Sequence, residues 1–215
     1  MPKIPLVQLD QTSPQIIHLS NSDSKLARVI SLIGPLTYRP YPPSGRYAFL
    51  VHEIIEQMLS VKAGARIYGR LEELCGGRIS PLAISHLSEE QIRGIGTSTA
   101  KAKYILALTQ AVQRKELVLK SLDLLDDDEV ARQLQKLRGI GSWTAKMFLI
   151  FCLNRQDILP FEDMAFLQGL SWTHGHEIRN KDEVLDICRN WHPYASIGAR
   201  YMYEVIDSGL TKEVR

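Results

Sequence analysis

Residues 137–145 read Leu137-Arg138-Gly139-Ile140-Gly141-Ser142-Trp143-Thr144-Ala145. Two glycines separated by one apolar residue stand between segments with helical periodicity, which predicts a hairpin joining two helices. We expect Leu137 and Ile140 to seat this turn in the core. Such a turn points backbone N–H groups outward at the start of a helix, where they can hold a phosphate whatever the base sequence. The alternative is a plain helical corner whose glycines only permit close packing.

The rest of the chain also has the pattern of helices. Apolar residues recur at three- and four-residue spacing over 26–33, 49–58 and 67–74, and the residues of 143–153 are apolar nearly all round, as in a buried central helix. Further helices are expected over about 98–114 and from the acidic run 126–129 onward. Strand-like alternation is absent over useful lengths. The sequence therefore predicts an all-α protein.

Start and stop signals agree with these helices. Ser80-Pro81 has the pattern of an N-cap followed by proline at the first helical position, and Ser88-Glu89-Glu90-Gln91 has that of a capping box. Gly76-Gly77 is expected to end the third helix. We interpret the acidic run as a solvated helix N-terminus rather than as a metal site.

Composition excludes several classes of protein. Lys and Arg number 26 against 24 Asp and Glu, so any affinity for nucleic acid must come from local placement of charge. The three cysteines, Cys75, Cys152 and Cys188, form no Cys-x-x-Cys pair, which argues against a disulfide framework and against zinc or iron–sulfur sites. No apolar run is long enough to cross a membrane and no signal peptide is recognisable. We expect an intracellular protein without a membrane association, in the cytoplasm and nucleoid of a bacterium or the nucleus of a eukaryote.

Histidines offer two weaker candidates for a metal site. His174-Gly175-His176 resembles a ligand pair but has no further ligands nearby in the sequence, so we expect a loop there. His52-Glu53 lacks the second histidine of a zinc-protease helix.

A second motif follows the hairpin at a defined distance. Leu159-Pro160-Phe161-Glu162-Asp163 places Asp163 22 residues beyond Gly141 (163 − 141). The hairpin, a proline-containing loop and an aspartate in this order resemble the signature of the helix-hairpin-helix DNA glycosylase superfamily, and within it the 3-methyladenine DNA glycosylase II family.

Three other segments strengthen that resemblance, which runs from about residue 45 almost to the C-terminus. They are Ile54-Ile55-Glu56-Gln57-Met58-Leu59-Ser60, similar to the family's wedge segment, Gly96-Thr97-Ser98-Thr99-Ala100-Lys101, similar to its Gly-x-Ser-x-x-Lys turn, and Trp191-His192-Pro193-Tyr194-Ala195-Ser196, similar to the start of one of its helices. The sequence departs from the family at Arg138, where proline is frequent, and at Ala195, where arginine is frequent. Arg200 could replace that missing cation. Residues before 45 are too few for the N-terminal β-domain of the best-known bacterial members, which implies the compact form.

The resemblance implies a role for each matching residue. Asp163 would be the catalytic carboxylate, with capping of a helix as its alternative role. Substrate would be bound by Trp143, Tyr203, Met147 and Met164, which could instead be core residues. Contacts to DNA would come from a set that includes the hairpin and the wedge residue: Met58, Arg138, Gly139, Gly141, Ser142 and Thr144. Met58, which would fill the gap left by a flipped base, could also be an ordinary core methionine.

The resemblance also bears on mechanism and on metal binding. Bifunctional members of the superfamily carry a lysine where this chain has Trp143, so we expect a monofunctional enzyme that uses water. No cofactor is expected, except that the backbone carbonyls of Gln135, Leu137 and Ile140 resemble those that bind Na⁺ or K⁺ in this superfamily.

Together these features predict two interleaved helical subdomains, residues 46–154 with the hairpin at 137–142, and residues 1–45 with 155–215. The hairpin would lie at the cleft between them. The expected protein is a monomeric glycosylase acting on alkylated bases in double-stranded DNA during base excision repair. An adenine or oxidised-base glycosylase of the same superfamily and a non-catalytic helix-hairpin-helix DNA-binding module are the alternatives.

Overall fold

The structure is a computed structural model that describes residues 5–212. Twelve α-helices lie within this range. They are α1 (Pro14–Ser22), α2 (Ser24–Ile33), α3 (Arg46–Glu56), α4 (Val61–Leu74), α5 (Pro81–Ser85), α6 (Glu89–Gly94), α7 (Thr99–Gln113), α8 (Asp127–Gln135), α9 (Ser142–Phe151), α10 (Met164–His174), α11 (Lys181–Cys188) and α12 (Ala195–Asp207). The predicted all-α class is confirmed.

Two very short strands accompany the helices. β1 (Val7–Leu9) and β2 (Leu36–Tyr38) pair antiparallel, with Leu9 opposite Leu36. The sequence analysis did not predict them, because three residues are too few to establish an alternating pattern.

The contacts of the chain divide it into two compact units, one made of residues 1–40 with 154–215 and the other of residues 41–153. In the first unit α10 packs along α12, and α2 packs on both. α10 and α12 approach each other closely at Gly169, where an added Cβ would lie 2.4 Å from the carbonyl oxygen of Met202. Large side chains such as Phe166, Trp191 and Tyr201 fill the core.

The second unit is built around α9. This helix packs against α3 and α8, and α3 also contacts α7. Its residues Thr144, Ala145 and 147–150 are buried, which confirms the predicted central helix. Because α9 begins at the hairpin, its burial fixes the position of that turn in the unit.

The helix starts follow the predicted signals. Ser80 caps α5 with Pro81 in the first turn, and Ser88 and Gln91 form the capping box of α6. Asp126 caps α8 by accepting a hydrogen bond from the Glu129 N–H over 2.7 Å, so the acidic run does serve as a helix N-terminus. Gly76 and Gly77 follow the end of α4 with positive φ values of 70° and 86°.

Of the helices in residues 5–212, none combines the length and apolar character of a membrane span.

Candidate functional site

The predicted hairpin is present between α8 and α9. The Ile140 N–H donates to the Leu137 carbonyl over 3.1 Å, and Ile140 is buried beneath the turn while Leu137 is half-buried. Gly139 has a φ of 94°, and an added Cβ would lie 2.3 Å from the Tyr104 ring. Glycine is therefore required here both by the left-handed backbone and by the close approach of the ring.

The hairpin presents the beginning of α9 to solvent. Gly141 occupies the N-cap position without a side-chain cap, and both Gly141 and Ser142 are exposed. The N-terminus of a helix carries outward-pointing N–H groups and the positive end of the helix dipole, an arrangement suited to a phosphate. Arg138, one residue before Gly139, is exposed as well and adds a positive charge to this surface.

The side chain of Thr144, one of the predicted DNA contacts, is buried in the structure. Its side chain is only 1% exposed and lies 3.4 Å from the Gln57 amide nitrogen. The position supports packing between α9 and the end of α3 rather than a direct contact of this side chain with DNA.

Met58 follows the end of α3 and is fully exposed, with a relative accessibility of 101%. The alternative interpretation of Met58 as a core methionine is therefore wrong. Its backbone has a φ of 58°, in the left-handed region that residues with a Cβ seldom adopt. Leu59 and Val61 nearby are also exposed, so the loop presents an apolar tip.

Two polar side chains hold this loop. The Lys101 ammonium donates to the carbonyls of Ile55 and Gln57 over 2.8 and 2.5 Å, and the Gln57 side-chain amide donates to the carbonyl of Gly139 over 2.9 Å. Burial lowers the pKa of Lys101. The sequence placed Gln57 and Lys101 in recognisable motifs, but gave no sign that their side chains join the loop to the hairpin.

Asp163 is the N-cap of α10. Its Oδ1 accepts a hydrogen bond from the Phe166 N–H over 2.8 Å, and the residue is 9% exposed. The capping role considered for Asp163 is thus confirmed. Glu162 before it and Met164 after it are exposed, the latter to 75%. The cap fixes Asp163 at the positive end of the α10 dipole, where a carboxylate is stabilised.

The loop before Asp163 is tied to the start of α12. Ser196 Oγ accepts from the Ile158 N–H over 2.8 Å, and the Ser196 N–H donates to the Gln156 carbonyl over 2.9 Å. Asp157 accepts from the Ala195 N–H over 3.2 Å. These hydrogen bonds hold residues 195 and 196, at the start of α12, against the loop that leads to Asp163. Sequence reasoning missed Asp157, which stands in no motif.

The same helix carries Tyr203, which is half-buried and packs against the core of its unit. Arg200, one turn earlier, is only 9% exposed, and its guanidinium carbon lies 3.7 Å from the centre of the Tyr38 ring. Burial lowers the pKa of Arg200. This buried stacking argues against the expectation that Arg200 replaces a phosphate-contacting cation.

The remaining predicted substrate residues lie on α9, within residues 41–153. Trp143 is half-buried in the first turn, and Met147 is buried at 4% exposure. Asp163, Met164 and Tyr203 belong to the other unit.

The carbonyls considered for a monovalent cation lie at the end of α8 and in the hairpin. Carbonyl oxygens suit such an ion, and Leu137 keeps a second lone pair beside the one that accepts from Ile140. Gln135 is the last residue of α8. The residues therefore fit a cation, which stays a prediction.

The histidines considered for metal binding have carboxylate partners instead. His52 lies 3.3 Å from both Glu53 and Glu56, and His176 lies 2.8 Å from Glu183. The hydrogen bond to Glu53 is the main cause of a raised pKa of His52. His174 is the last residue of α10 rather than a loop residue, and its ring lies 3.6 Å from Asp23.

Known proteins are similar to this chain over most of its length. Residues 51–193 match the HhH-GPD superfamily of base excision DNA repair proteins. The chain is 29% identical over 207 residues to DNA-3-methyladenine glycosylase 1 of Schizosaccharomyces pombe, covering 93% of this chain and 90% of that protein.

Two solved structures have the same fold. One is a DNA-3-methyladenine glycosidase from Bacillus halodurans, with 30% identity, a TM-score of 0.80 and coverage of 96% of this chain and 95% of that one. The other is the 3-methyladenine DNA glycosylase of Schizosaccharomyces pombe in complex with abasic DNA, with 26% identity, a TM-score of 0.80 and coverage of 91% and 97%. Because the family match spans most of its length, this chain belongs to the HhH-GPD superfamily of base excision DNA repair proteins.

Proposed function

We propose that this chain is a monofunctional DNA glycosylase that hydrolyses the N-glycosidic bond of alkylated bases of the 3-methyladenine type in double-stranded DNA. It leaves an abasic site for base excision repair. The observation that carries the proposal is the match, over nearly the whole chain, to proteins named DNA-3-methyladenine glycosylases. The subdomains 46–154 and 1–45 with 155–215 each supply part of the proposed machinery.

DNA binding is assigned to the hairpin and the Met58 loop. The exposed start of α9 at Gly141 and Ser142 holds a backbone phosphate, and Arg138 adds a cation beside it. The exposed Met58 side chain enters the stack where the damaged nucleotide leaves it. Binding of this kind reads the backbone rather than the sequence, as repair of scattered lesions requires.

Catalysis is assigned to Asp163. Breaking a glycosidic bond develops positive charge on the sugar, and a fixed carboxylate stabilises that charge and can orient the attacking water. The hydrogen bond from Phe166 holds Asp163 in one position before the reaction begins. Pre-positioning matters because a charged group that need not reorganise lowers the barrier most.

Recognition of the base is assigned to aromatic and sulfur-containing side chains. Trp143 and Tyr203 offer faces on which an electron-poor, often cationic base can stack, and Met147 and Met164 are the further side chains assigned to binding it. Alkylation has already made the base a good leaving group, so the pocket need only hold it. A broad range of alkylated substrates follows.

The test is base release from a duplex carrying a single 3-methyladenine or 7-methylguanine, read as strand cleavage after hot alkali. We expect release by the wild-type protein and no cleavage before alkali. Borohydride should trap no covalent protein–DNA adduct, since position 143 is tryptophan and not lysine. A trapped adduct would overturn the monofunctional assignment, and a protein that binds the duplex without releasing any base would be a binding module.

A further inference from the structure

The loop after α3 adopts a conformation that its own sequence does not favour. Met58 has a φ of 58° although it carries a Cβ, and its side chain gains no burial there, being fully exposed. Left-handed backbone at a residue other than glycine persists only where the surrounding structure imposes it. The contacts that impose it involve the residues that flank Met58 in the loop.

On the N-terminal side the main contact is the Lys101 ammonium. It lies 2.8 Å from the carbonyl oxygen of Ile55 and 2.5 Å from that of Gln57, which are among the last carbonyls of α3 and its turn. Such carbonyls have no partner within their helix, and a cation beside them also complements the negative end of the helix dipole. Lys101 thus acts as a C-terminal cap supplied by another helix.

The position of Lys101 in α7 is unfavourable for α7 itself. It lies in the first turn, at the positive end of that dipole, where an acidic residue would stabilise the helix better. Ser98 fixes this turn by accepting a hydrogen bond from the Lys101 N–H over 3.2 Å. The unfavourable interaction of the ammonium with the α7 dipole is offset by its hydrogen bonds to the end of α3 and the Met58 loop.

Gln57 extends the connection to the hairpin. Its backbone carbonyl accepts from Lys101, while its side-chain amide donates to the Gly139 carbonyl over 2.9 Å. One residue thus joins the ammonium to the turn that is proposed to hold the phosphate. Met58, the next residue, is consequently held at a fixed place relative to that turn.

We propose that Lys101 is a positioning residue for base flipping: by capping the end of α3 it holds the Met58 loop in its strained conformation and, through Gln57, in register with the hairpin. The proposal rests on the proposed glycosylase function for its consequence in DNA, but its structural part can be measured without DNA. Lys101 does not touch substrate in this scheme. It acts through Gln57 and Met58.

The variants are designed to separate the ammonium from the rest of the side chain. Lys101→Met keeps an unbranched apolar stem as far as the ε position and removes the ammonium, whereas Lys101→Arg keeps a cation that can donate to both carbonyls. Lys103→Met is the matched control, because Lys103 is an exposed lysine on the same helix. Lys101→Gln, with a shorter neutral donor, replaces the Met variant if that protein does not fold.

The first measurement is amide hydrogen exchange of the free protein. In the wild type the Gln57 N–H donates to Glu53 and the Leu59 N–H to Glu56. We expect exchange over 57–59 to rise roughly tenfold or more in Lys101→Met, with α9 unchanged, and to be restored largely by Lys101→Arg. Unchanged exchange over 57–59 in Lys101→Met would overturn the proposal whether or not the protein is a glycosylase.

The second measurement is single-turnover base release from two substrates with the same lesion. One is a matched duplex, in which the base must be flipped, and the other presents the base in a single-nucleotide bulge, where little stacking has to be broken. The rate of base release by Lys101→Met should fall about tenfold or more on the duplex and much less on the bulge. The rates of Lys103→Met should resemble those of the wild type. Equal losses on both substrates would assign Lys101 a general structural role. A wild-type protein that is inactive on both substrates would refute the proposed glycosylase function. The exchange measurement alone would then test whether Lys101 holds the Met58 loop.

Discussion

Oδ1 of Asp163 accepts a hydrogen bond from the backbone N–H of Phe166 over 2.8 Å, so the proposed catalytic carboxylate is also the N-cap of α10. Capping and catalysis were alternatives when only the sequence was considered. In the structure they are compatible, because the cap requires an oxygen acceptor whereas stabilisation of a sugar cation requires a negative charge. Substitutions can therefore separate the two roles.

Asp163→Asn keeps an oxygen that can cap α10 and removes the charge. We expect single-turnover base release to fall by roughly two orders of magnitude or more, while the melting temperature and binding to a duplex with a non-cleavable abasic analogue change little. Asp163→Ala should in addition lose about 1 kcal/mol of stability with the cap. The neighbouring exposed Glu162, changed to Gln, serves as the control and should retain wild-type release. Wild-type rates in a folded Asp163→Asn protein would remove Asp163 from the mechanism.

Tyr203→Ala should weaken excision of cationic alkylated bases by about 1–3 kcal/mol in kcat/KM, the range expected for the loss of one stacking partner. Tyr203→Phe, which keeps the ring, should lose much less. Affinity for undamaged duplex should stay nearly constant in both, because the proposed backbone contacts lie on the hairpin. Since Tyr203 is half-buried against the core of its unit, a parallel fall in melting temperature and in both assays would instead identify it as a packing residue.

The fold could be predicted well because its signals are local. Helical periodicity, the capping box at Ser88 and the paired glycines after α4 each act within a few residues, and all are found where the sequence placed them. The buried character of α9 could also be predicted, since only a helix enclosed on all sides is apolar all round. Family membership followed from several motifs occurring in one order.

The contacts that shape the candidate site could not be predicted, because they join residues far apart in the chain. Lys101 reaches a helix end 44 residues away, and Gln57 bonds a carbonyl 82 residues away. Burial of Arg200 against Tyr38 also joins residues far apart in the chain, and it argues against the role expected for that cation. For Met58 the sequence left two alternatives open, since the resemblance implied an exposed wedge whereas the apolar periodicity of 49–58 fitted a core methionine. The structure decides for exposure because α3 ends at Glu56, before Met58.

Asp23 gives a prediction of acid sensitivity in the unit that contains Asp163. Burial alone would raise the pKa of Asp23, but the His174 side chain, the Leu26 N–H and the Trp191 indole N–H outweigh it and lower the pKa from 3.8 to about 2. A carboxyl whose pKa is lower in the folded state stabilises the fold above its unfolded pKa. That contribution is lost as the pH falls from about 4 towards 2.

We therefore expect Asp23→Asn to lower the free energy of unfolding by about 2 kcal/mol at pH 7 and by only about 1 kcal/mol at pH 3, where the wild type has already lost part of the contribution. Urea unfolding at the two pH values measures both differences. The exposed Asp207, changed to Asn, is the control and should have little effect at either pH. If Asp23→Asn lowers the free energy of unfolding by the same amount at both pH values, the charge of Asp23 is not what stabilises this unit.

The two glycines of the hairpin should respond differently to the same substitution. Gly139 has a φ of 94°, and an added Cβ would lie 2.3 Å from the Tyr104 ring, whereas Gly141 has a φ of −96° and open space where its Cβ would be. Gly139→Ala combines left-handed strain with overpacking, so we expect a loss of about 2–4 kcal/mol in unfolding free energy. Gly141→Ala should leave stability within about 0.5 kcal/mol of the wild type, or raise it slightly.

Binding to DNA provides a second test of Gly141→Ala. If a phosphate approaches the N-terminus of α9 as proposed, the methyl group of Gly141→Ala meets it, and affinity for undamaged duplex should fall several-fold in a protein of wild-type stability. Tyr104→Ala in combination with Gly139→Ala removes the ring, but it keeps the residue-104 Cβ 2.7 Å from the added methyl and leaves the backbone strain. The double variant should therefore recover only part of the stability lost in Gly139→Ala. Fluorescence anisotropy with a labelled duplex and urea unfolding measure the two effects separately. Wild-type affinity in Gly141→Ala would place the phosphate away from this helix start, and full stability in Gly139→Ala would mean that the turn does not depend on glycine at that position.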